Sequence, residues 1–596
     1  MWTEFAARTV TSATKPPAQR KTQLQLVAPI NGVASGQIVL SSTQPLTEVS
    51  AVAGELKSAG AMKAALSVRV RFATHRPLVK DELLVAGGTA AGSVVQVYYT
   101  LHDAFVAANQ TVQSVYVTVA VPPDAAAGEY RGSVKVRTNL GETEVPLQVT
   151  VPDFVLPDPS DLNIWMALSH SPTQLAYFYQ VPHYSDQHWE KIETQMQLVS
   201  QVGNHVLYIP VLWHVNNGSG PQMITFKEEG GKLTPDFTLL DRYLKLAARY
   251  YGPQRYVVLG VWGKWQRETG STRTKADELF VTTPEANGGY GMLKLSADYS
   301  ANAALWTAVF DGVATRVKTH LNVPASRIVL GNGDDRHPTN ETDAAWQKIA
   351  PESPGWHAWT HHYGDMGPRP VLFEIVDPTC GRDVPKAGES WVRGGWDATT
   401  GKTLFLSTVR DIQFDGVPPA YYFSIPDISV GKQRTGTTVG LARIGLDYWP
   451  KRVPGVSGVD SGFNGGSRAA PGRVDRNRTT TLTAPGPKGP VAMLHYEALR
   501  EGVQAAEARI VVEKAVQAKV GDTAAFEQAL QIFWTKGSRC PELYTLSDRA
   551  AFEDFGGWQE GTLPLYVAAA EAQRLLQLRD AAVKSAKAGE QRRQSR

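Results

Sequence analysis

The chain has 596 residues, 42% hydrophobic and 20% charged. That much apolar surface can build sizeable cores, so disorder is excluded as the main state, and the length implies several domains. The formal net charge of +3 is too small for a nucleic-acid footprint, and no apolar run reaches the roughly 18 residues of a membrane helix.

Cys380 and Cys540 are too few for a disulfide framework or a Cys-based zinc site. The start, Met1-Trp2-Thr3-Glu4, has neither the basic head nor the apolar core of a secretory signal. The 15 Trp and 21 Tyr supply flat apolar faces of the kind that meet sugar rings.

Residues 1 to about 158 read as β. Period-two alternation runs through Val115–Val121, Ser133–Arg137 and Val145–Val151, with turn residues Pro122-Pro123-Asp124 and Asn139-Leu140-Gly141 between. Short strands at this spacing predict an antiparallel sandwich. Pro146 cannot donate to a ladder, so it belongs at an edge or bulge.

From about 159 the pattern becomes strand, helix, strand. Asn163–Leu168 is a short apolar run. A helix is predicted from Ser185, with Trp189, Ile192, Met196 and Val199 on one face. His205–Val211 is the next strand. Thr234-Pro235-Asp236 reads as an N-cap with Pro at the first helical position, ahead of Phe237, Leu240, Leu244 and Ala247. Tyr256–Trp262 is a strand, about 300–321 a helix, and Arg327–Leu330 a strand that Gly331 ends. Further strands are expected at Gly355–Thr360, Thr403–Ser407 and Gly445–Trp449. This alternation predicts a parallel sheet, most economically a (β/α)₈ barrel over 159–452. A Gly/Pro-rich linker over 453–480 precedes a mainly helical C-terminal domain over 481–596. Its last helix runs from about Leu565 towards Lys587, and the basic tail beyond reads as a frayed end.

Barrel chemistry gathers at the carboxyl ends of strands. There, Gly331-Asn332-Gly333-Asp334-Asp335-Arg336-His337 sets two adjacent carboxylates just after a strand. The glycines let the backbone turn, so both side chains can face one cavity. Neighbouring anions repel, which raises one pKa and lets that group hold a proton. An acid beside a charged carboxylate is what glycosidic cleavage needs. Spacing alone favours a plainer reading, in which Asp334 or Asp335 pairs with Arg336 or caps a helix near Thr339.

His357, His361, His362 and Asp365 form a second polar cluster. It suits a sugar pocket better than a metal site, because residues on a strand and its loop need not converge. Trp262, Trp265, Trp359, Trp391, Trp396, Tyr421 and Tyr422 divide between core packing and sugar contact. Gly87–Gly92 lacks dinucleotide-loop spacing.

Several segments together resemble glycoside hydrolase family 123 and the related domain-of-unknown-function 4091 proteins. Gly128-Glu129-Tyr130-Arg131-Gly132 resembles the Gly-x-Tyr-x-Gly turn of that family's sandwich, and Asp153–Pro157 its exit into the barrel. Ser185-Asp186-Gln187-His188-Trp189 is similar to the start of an early barrel helix. Ala484–Pro490 with Glu497-Ala498-Leu499-Arg500-Glu501-Gly502 resembles the C-terminal signature, the most specific match.

The resemblance implies an exo-acting β-N-acetylgalactosaminidase working with retention and without metal or cofactor. The substrate's acetamide attacks the anomeric carbon. An Asp orients the acetamide, and the next residue, a Glu, is the acid/base. By position Asp334 is the orienting residue and Asp335 the acid/base. From their residue types and places after strands, His362, Tyr363, Trp396, Tyr422 and Trp262 are expected sugar contacts. Asp335 stands where the family has Glu, and Arg336 where Pro is expected; His495 and Ala505 replace an expected Arg and Asp. The partner is a glycan, with neither nucleic acid nor membrane insertion. The family resemblance implies a secreted or periplasmic protein, while the start of the chain leaves a cytoplasmic one open. Two alternatives stay open: a glycosidase for another sugar, and a non-catalytic carbohydrate-binding protein of the same fold.

Overall fold

The computed structural model describes residues 1–6, 10, 14–58, 65–77, 97–105, 110–162, 172–213, 220–254, 256–262, 278–332, 338, 340–358, 371–373, 395–397, 402–404, 483–485, 488–492, 494–537 and 558–594.

Among the described residues ten strands open the chain: β1 (Trp2–Phe5), β2 (Leu24–Val27), β3 (Val33–Leu46), β4 (Val49–Ala53), β5 (Lys57–Ser58), β6 (Ser67–Pro77), β7 (Val97–His102), β8 (Gln110–Ala120), β9 (Gly128–Thr138) and β10 (Gly141–Val151). They form two sheets, β1-β3-β8-β6-β7 and β2-β10-β9-β4, with β5 also on β9. Alternate residues such as Ile38, Val117, Tyr130 and Val149 interdigitate in a shared core. β2 pairs with β10 only from Leu147 onward, so Pro146 sits where that side of β10 is an edge.

The Gly-x-Tyr-x-Gly segment begins β9 and is a packing device. Gly128 has φ +144°, a backbone that side chains resist. Tyr130 is fully buried, and its hydroxyl donates to the Ala126 carbonyl at 2.7 Å. A Cβ at Gly132 would lie 2.8 Å from the Glu55 carbonyl oxygen.

The middle of the chain holds α1 (Pro172–Tyr179), α2 (Asp186–Ser200), β11 (Val206–Pro210), β12 (Thr225–Glu229), β13 (Lys232–Asp236), α3 (Thr238–Tyr250), β14 (Tyr256–Trp262), β15 (Glu278–Pro284), β16 (Tyr290–Ser296), α4 (Ala303–Leu321), β17 (Ile328–Asn332), α5 (Asn340–Ile349), β18 (Trp356–Ala358) and β19 (Val371–Phe373). A parallel sheet runs β11-β14-β17-β18-β19, in chain order. Leu207, Ile209, Val257, Leu259, Ile328 and Leu330 share one core with Ile192 and Met196 of α2 and Val313 of α4. Each such aliphatic side chain contributes about 1.5–3 kcal/mol on burial. Tyr256, Val258 and Val329 are buried too, so both faces are covered.

Ser185 caps α2, its hydroxyl accepting the His188 N–H at 3.3 Å. Arg242 of α3 reaches Asp186 of α2 at 3.2 Å, and Arg249 reaches Glu193 at 3.2 Å. The equal offset shows that the two helices run parallel. Both therefore start at the carboxyl side of the sheet and return to its amino side.

The expected N-cap at Thr234-Pro235-Asp236 is corrected. These residues lie in β13, with Pro235 opposite Phe226, and the helix starts at Thr238. β13 is an edge strand, where Pro costs no ladder bond. Asp236 still serves the helix, its Oδ1 accepting the Thr238 N–H at 2.8 Å. A strand is present near Thr403, but its place in the parallel sheet is corrected: among the described residues β20 (Gly395–Asp397) and β21 (Lys402–Leu404) pair antiparallel with each other. The described parallel strands number five and do not close on themselves. Asn163–Leu168 and Gly445–Trp449 lie outside the described residues.

β22 (Thr483–Pro485) and β23 (Pro490–Ala492) form a hairpin that leads to α6 (Leu494–Gln517), α7 (Thr523–Gly537) and α8 (Trp558–Gln594). The helix α8 extends through most of the basic tail expected to fray, with residues 577–594 exposed. Among the described residues no helix is long and apolar enough to cross a membrane.

The polar stripe Glu497, Glu501 and Gln504 of α6, at spacings of four and three, presses on the sandwich. Arg71 of β6 donates to Glu497 Oε1 at 2.7 Å, with both side chains almost fully buried. Glu501 Oε1 accepts the Ser35 N–H at 2.9 Å. Gln504 accepts from the Val33 N–H at 2.5 Å and donates to its carbonyl at 2.8 Å. The segment that resembles the family's C-terminal signature is thus a bolt between helix and sandwich.

Candidate active site

The carboxyl edge of the parallel sheet is built from small residues and an irregularity. Gly260 of β14 pairs with Gly331 of β17, and Trp262 pairs with Asn332 next, so Val261 is bulged out of the ladder. Bulges re-aim neighbouring side chains. A Cβ on Gly331 would stand 2.9 Å from Val258 Cγ1 and 3.1 Å from the Gly260 Cα. The strands approach too closely there for larger residues. Tyr299 pins the bulge: its buried hydroxyl donates to the Val261 carbonyl at 2.5 Å. Its ring packs on Trp306 and Trp346, with centroids 5.3 and 5.4 Å away. Burial pushes the Tyr299 hydroxyl pKa far up, so it stays a donor.

Two excursions from this edge interlock above it. β12 and β13 follow β11, β15 and β16 follow β14, and together they form one four-stranded sheet, β13-β12-β15-β16. Thr225 bridges to Thr282 between the excursions. The Trp213 N–H donates to the Phe280 carbonyl at 2.7 Å, and the Gln222 N–H to Thr282 Oγ1 at 2.7 Å.

Tyr184, just before α2, joins from a third side. It has φ +60°, and its hydroxyl donates to the Pro221 carbonyl at 2.6 Å. Its ring meets that of half-buried Tyr290 edge-on at 5.4 Å. His188 fixes this turn. Its Nδ1 accepts the Tyr184 N–H at 2.7 Å, which leaves Nε2 to donate to the Pro172 carbonyl at 2.7 Å. Burial lowers the pKa of His183 and of His188 to about 4, so both are neutral at pH 7.

Asn332 is the last residue of β17, and Asp334 and Asp335 follow two and three positions later in the chain. Both aspartates lie outside the described residues, as do His361, His362, Tyr363, Asp365 and Tyr422. Trp262 is half-buried at the bulge, beside the strand that leads to Asp334. Trp396 lies on β20, opposite Thr403, on a separate hairpin. Sequence reasoning missed Tyr184, Trp213, Tyr290 and Tyr299 at this edge. The turn Asn287-Gly288-Gly289 between Leu279-x-Val281 and Leu293-x-Leu295 is the signal that marks the β15–β16 hairpin. Among the described residues no group of three or more His, Cys, Asp or Glu is placed to hold a metal.

The chain matches the model of the glycoside hydrolase 123 catalytic domain over residues 170–362 and that of the glycoside hydrolase 123 N-terminal domain over residues 4–138. It is also similar to the solved structure of a family 123 glycoside hydrolase from Clostridium perfringens, described as showing glycolipid glycan hydrolysis. That likeness has a TM-score of 0.58 at 10% identity, over 93% of this chain and 96% of the other. A GH10 xylanase with an Ig-like domain, from termite gut, overlaps 43% of this chain and 54% of its own, at 12% identity and a TM-score of 0.18. An amylomaltase from Corynebacterium glutamicum overlaps 33% of this chain and 22% of its own, at 12% identity and a TM-score of 0.12. No curated protein matches the chain. The two family matches follow the order of sandwich and parallel sheet, and the solved relative spans nearly the whole length: the chain belongs to glycoside hydrolase family 123, a family of glycosidases acting on glycans.

Proposed function

We propose that the chain removes a terminal β-linked 2-acetamido sugar, most specifically N-acetylgalactosamine, with retention and with the substrate's own acetamide as nucleophile. The observation that carries this reading is positional. The Asp334–Asp335 pair lies inside the segment matched to the catalytic domain, directly after a central parallel strand whose carboxyl edge is kept close-packed and bulged. Five parallel strands in consecutive order, wound one way, fit an arc of a (β/α)₈ barrel, which we assign to residues 159–452. The sandwich is assigned to 1–158 and the C-terminal domain to 481–596, with a linker over 453–480.

In the first step protonated Asp335 gives its proton to the glycosidic oxygen. The acetamide carbonyl oxygen then bonds to the anomeric carbon as the leaving alcohol departs. Asp334 accepts the acetamide N–H and stabilises the charge that builds on the resulting oxazolinium ion. In the second step Asp335, now a carboxylate, takes a proton from water. The water oxygen bonds to the anomeric carbon, the ring-opened acetamide is restored, and the configuration is retained. Asp is one methylene shorter than Glu, so the barrel must bring Asp335 about 1 Å closer to its substrate for the same proton transfer. His362, Tyr363, Trp396, Tyr422 and Trp262 are proposed sugar contacts. The glycolipid glycan of the Clostridium perfringens relative is one substrate class to include.

Aryl β-glycosides of N-acetylgalactosamine, N-acetylglucosamine and galactose, assayed side by side, test the reading. Turnover confined to the acetamido sugars and blocked by a thiazoline analogue is the expected result. Turnover of the galactoside would remove the acetamide from the mechanism. Sugar binding without turnover of any substrate would leave a carbohydrate-binding protein.

A further inference from the structure

A cavity of about 380 Å³ opens where three parts of the chain meet. One wall is the sandwich, through Val33 and Ser67; another is the segment Leu156–Pro159; the third is α6, through Arg500 and Val503. Gln201 and Val202, which also line it, follow the end of α2 and precede β11. They therefore lie at the amino side of the parallel sheet, opposite the edge that leads to Asp334 and Asp335. The volume is in the range of small-molecule sites.

The lining is mostly apolar, and its polar groups are largely spent. Gln504 is held at both ends by the Val33 backbone. The Asn31 amide donates to the Leu156 carbonyl at 3.1 Å and to Asp158 Oδ1 at 2.8 Å. Arg500 is different. Its Nη1 donates to Glu497 Oε2 at 3.0 Å, and among the described residues its Nε and Nη2 meet no acceptor. Its side chain is 17% exposed. The nearby acids are engaged elsewhere, Glu497 with Arg71 as well and Glu501 with the Ser35 N–H. A guanidinium in the wall of an apolar recess, with two adjacent donors that meet no acceptor among the described residues, matches a planar carboxylate.

We propose that this cavity is a second ligand site, for a small organic carboxylate with an apolar body. The carboxylate takes the free Nε and Nη2 donors of Arg500. The body lies against Pro122, Pro157, Leu162 and Val503. Because the walls come from three parts of the chain, occupancy ties α6 to the sandwich.

The test is calorimetric titration of the full chain with phenylacetate, phenylacetamide and inorganic phosphate, alongside thermal unfolding. Saturable phenylacetate binding is expected, with the unfolding midpoint raised by about 3 °C at a hundredfold excess over Kd. Phenylacetamide and phosphate are expected to bind at least about tenfold more weakly. Equal binding of the amide overturns the role of Arg500, equal binding of phosphate overturns the apolar body, and no phenylacetate binding overturns the site. Arg500→Gln should lose the affinity and Arg500→Lys should keep part of it. Ser67→Trp narrows the exposed rim without touching the Arg500–Glu497 pair. Wild-type affinity in that variant would place the ligand elsewhere and end the proposal.

Discussion

Two regions of this chain treat polar groups in opposite ways. Where α6 meets the sandwich, charges are dry and paired: Arg71 and Glu497 are almost fully buried against each other, and Glu501 and Gln504 bond directly to the β3 backbone. At the carboxyl edge of the parallel sheet the strands carry Gly260, Gly331 and a bulge, and polar side chains act from behind it, through Tyr299 and His188. The first arrangement fixes one relative placement of two parts. The second brings two strands close and breaks their ladder with a bulge just before the segment that carries Asp334 and Asp335. The residues of the segment that resembles the family's C-terminal signature belong to the first kind, so that segment says where the helix sits and nothing directly about the reaction.

The sharpest way to break this contrast is kinetic. Asp335→Asn should lower kcat on a substrate with a poor leaving group by about 10²–10⁴-fold, the span of general-acid contributions, while leaving the thermal midpoint near that of the wild type. An unchanged rate would reassign the acid. Arg71→Met should do the reverse. It strands the Glu497 carboxylate with Arg500 alone and should cost about 3–5 kcal/mol, read from the denaturant midpoint. Arg71→Met combined with Glu497→Leu should recover much of the loss, since no buried charge is then left unpaired. A single variant as stable as wild type would show the bolt to be dispensable.

Acid should reach the carboxyl edge before it reaches the bolt. His188 has its pKa lowered by burial from 6.5 to about 4, so the unfolded chain binds more protons between those values. Its stabilising contribution is complete above pH 6.5 and is lost as pH falls towards 4, on the order of 2–3 kcal/mol in all. Glu497 is also lowered: burial opposes this, but Arg71 and Arg500 outweigh it, so its loss comes only below the ordinary carboxylate range. Unfolding midpoints measured from pH 7 to 4 should therefore fall, and His188→Gln should flatten the fall. An equal slope in the variant would show that His188 does not titrate with unfolding.

How much was legible in the sequence follows from how local each signal is. The periodic faces of α2 and α4 and the alternation of β8, β9 and β10 are short-range patterns, and they appear where expected. Thr234-Pro235-Asp236 misled because a cap and an edge strand ask for the same residue types, and only the pairing of Pro235 with Phe226 decides. The bolt was illegible for another reason. Arg71 and Glu497 are 426 positions apart, and each alone reads as a solvated charge. At the candidate site the sequence marked the Asp334–Asp335 pair and Trp262 but not Tyr299, whose role depends on a bulge that no local pattern announces.

Tyr299→Phe gives the smallest effect and tests the link between bulge and site most directly. It removes one hydroxyl from a fully enclosed position, leaving the Val261 carbonyl without that donor at 2.5 Å. The packing of the ring on Trp306 and Trp346 is retained, so the stability cost should be about 1–2 kcal/mol, that of one unsatisfied buried group. If the bulge aims the segment that carries Asp334 and Asp335, kcat should fall several-fold beyond what the stability loss explains, because misplacement of about 1 Å alone costs roughly 10²-fold. A stability loss with kcat unchanged would separate the two: the hydroxyl would then hold the sheet edge together without setting the direction of the chain that leaves it.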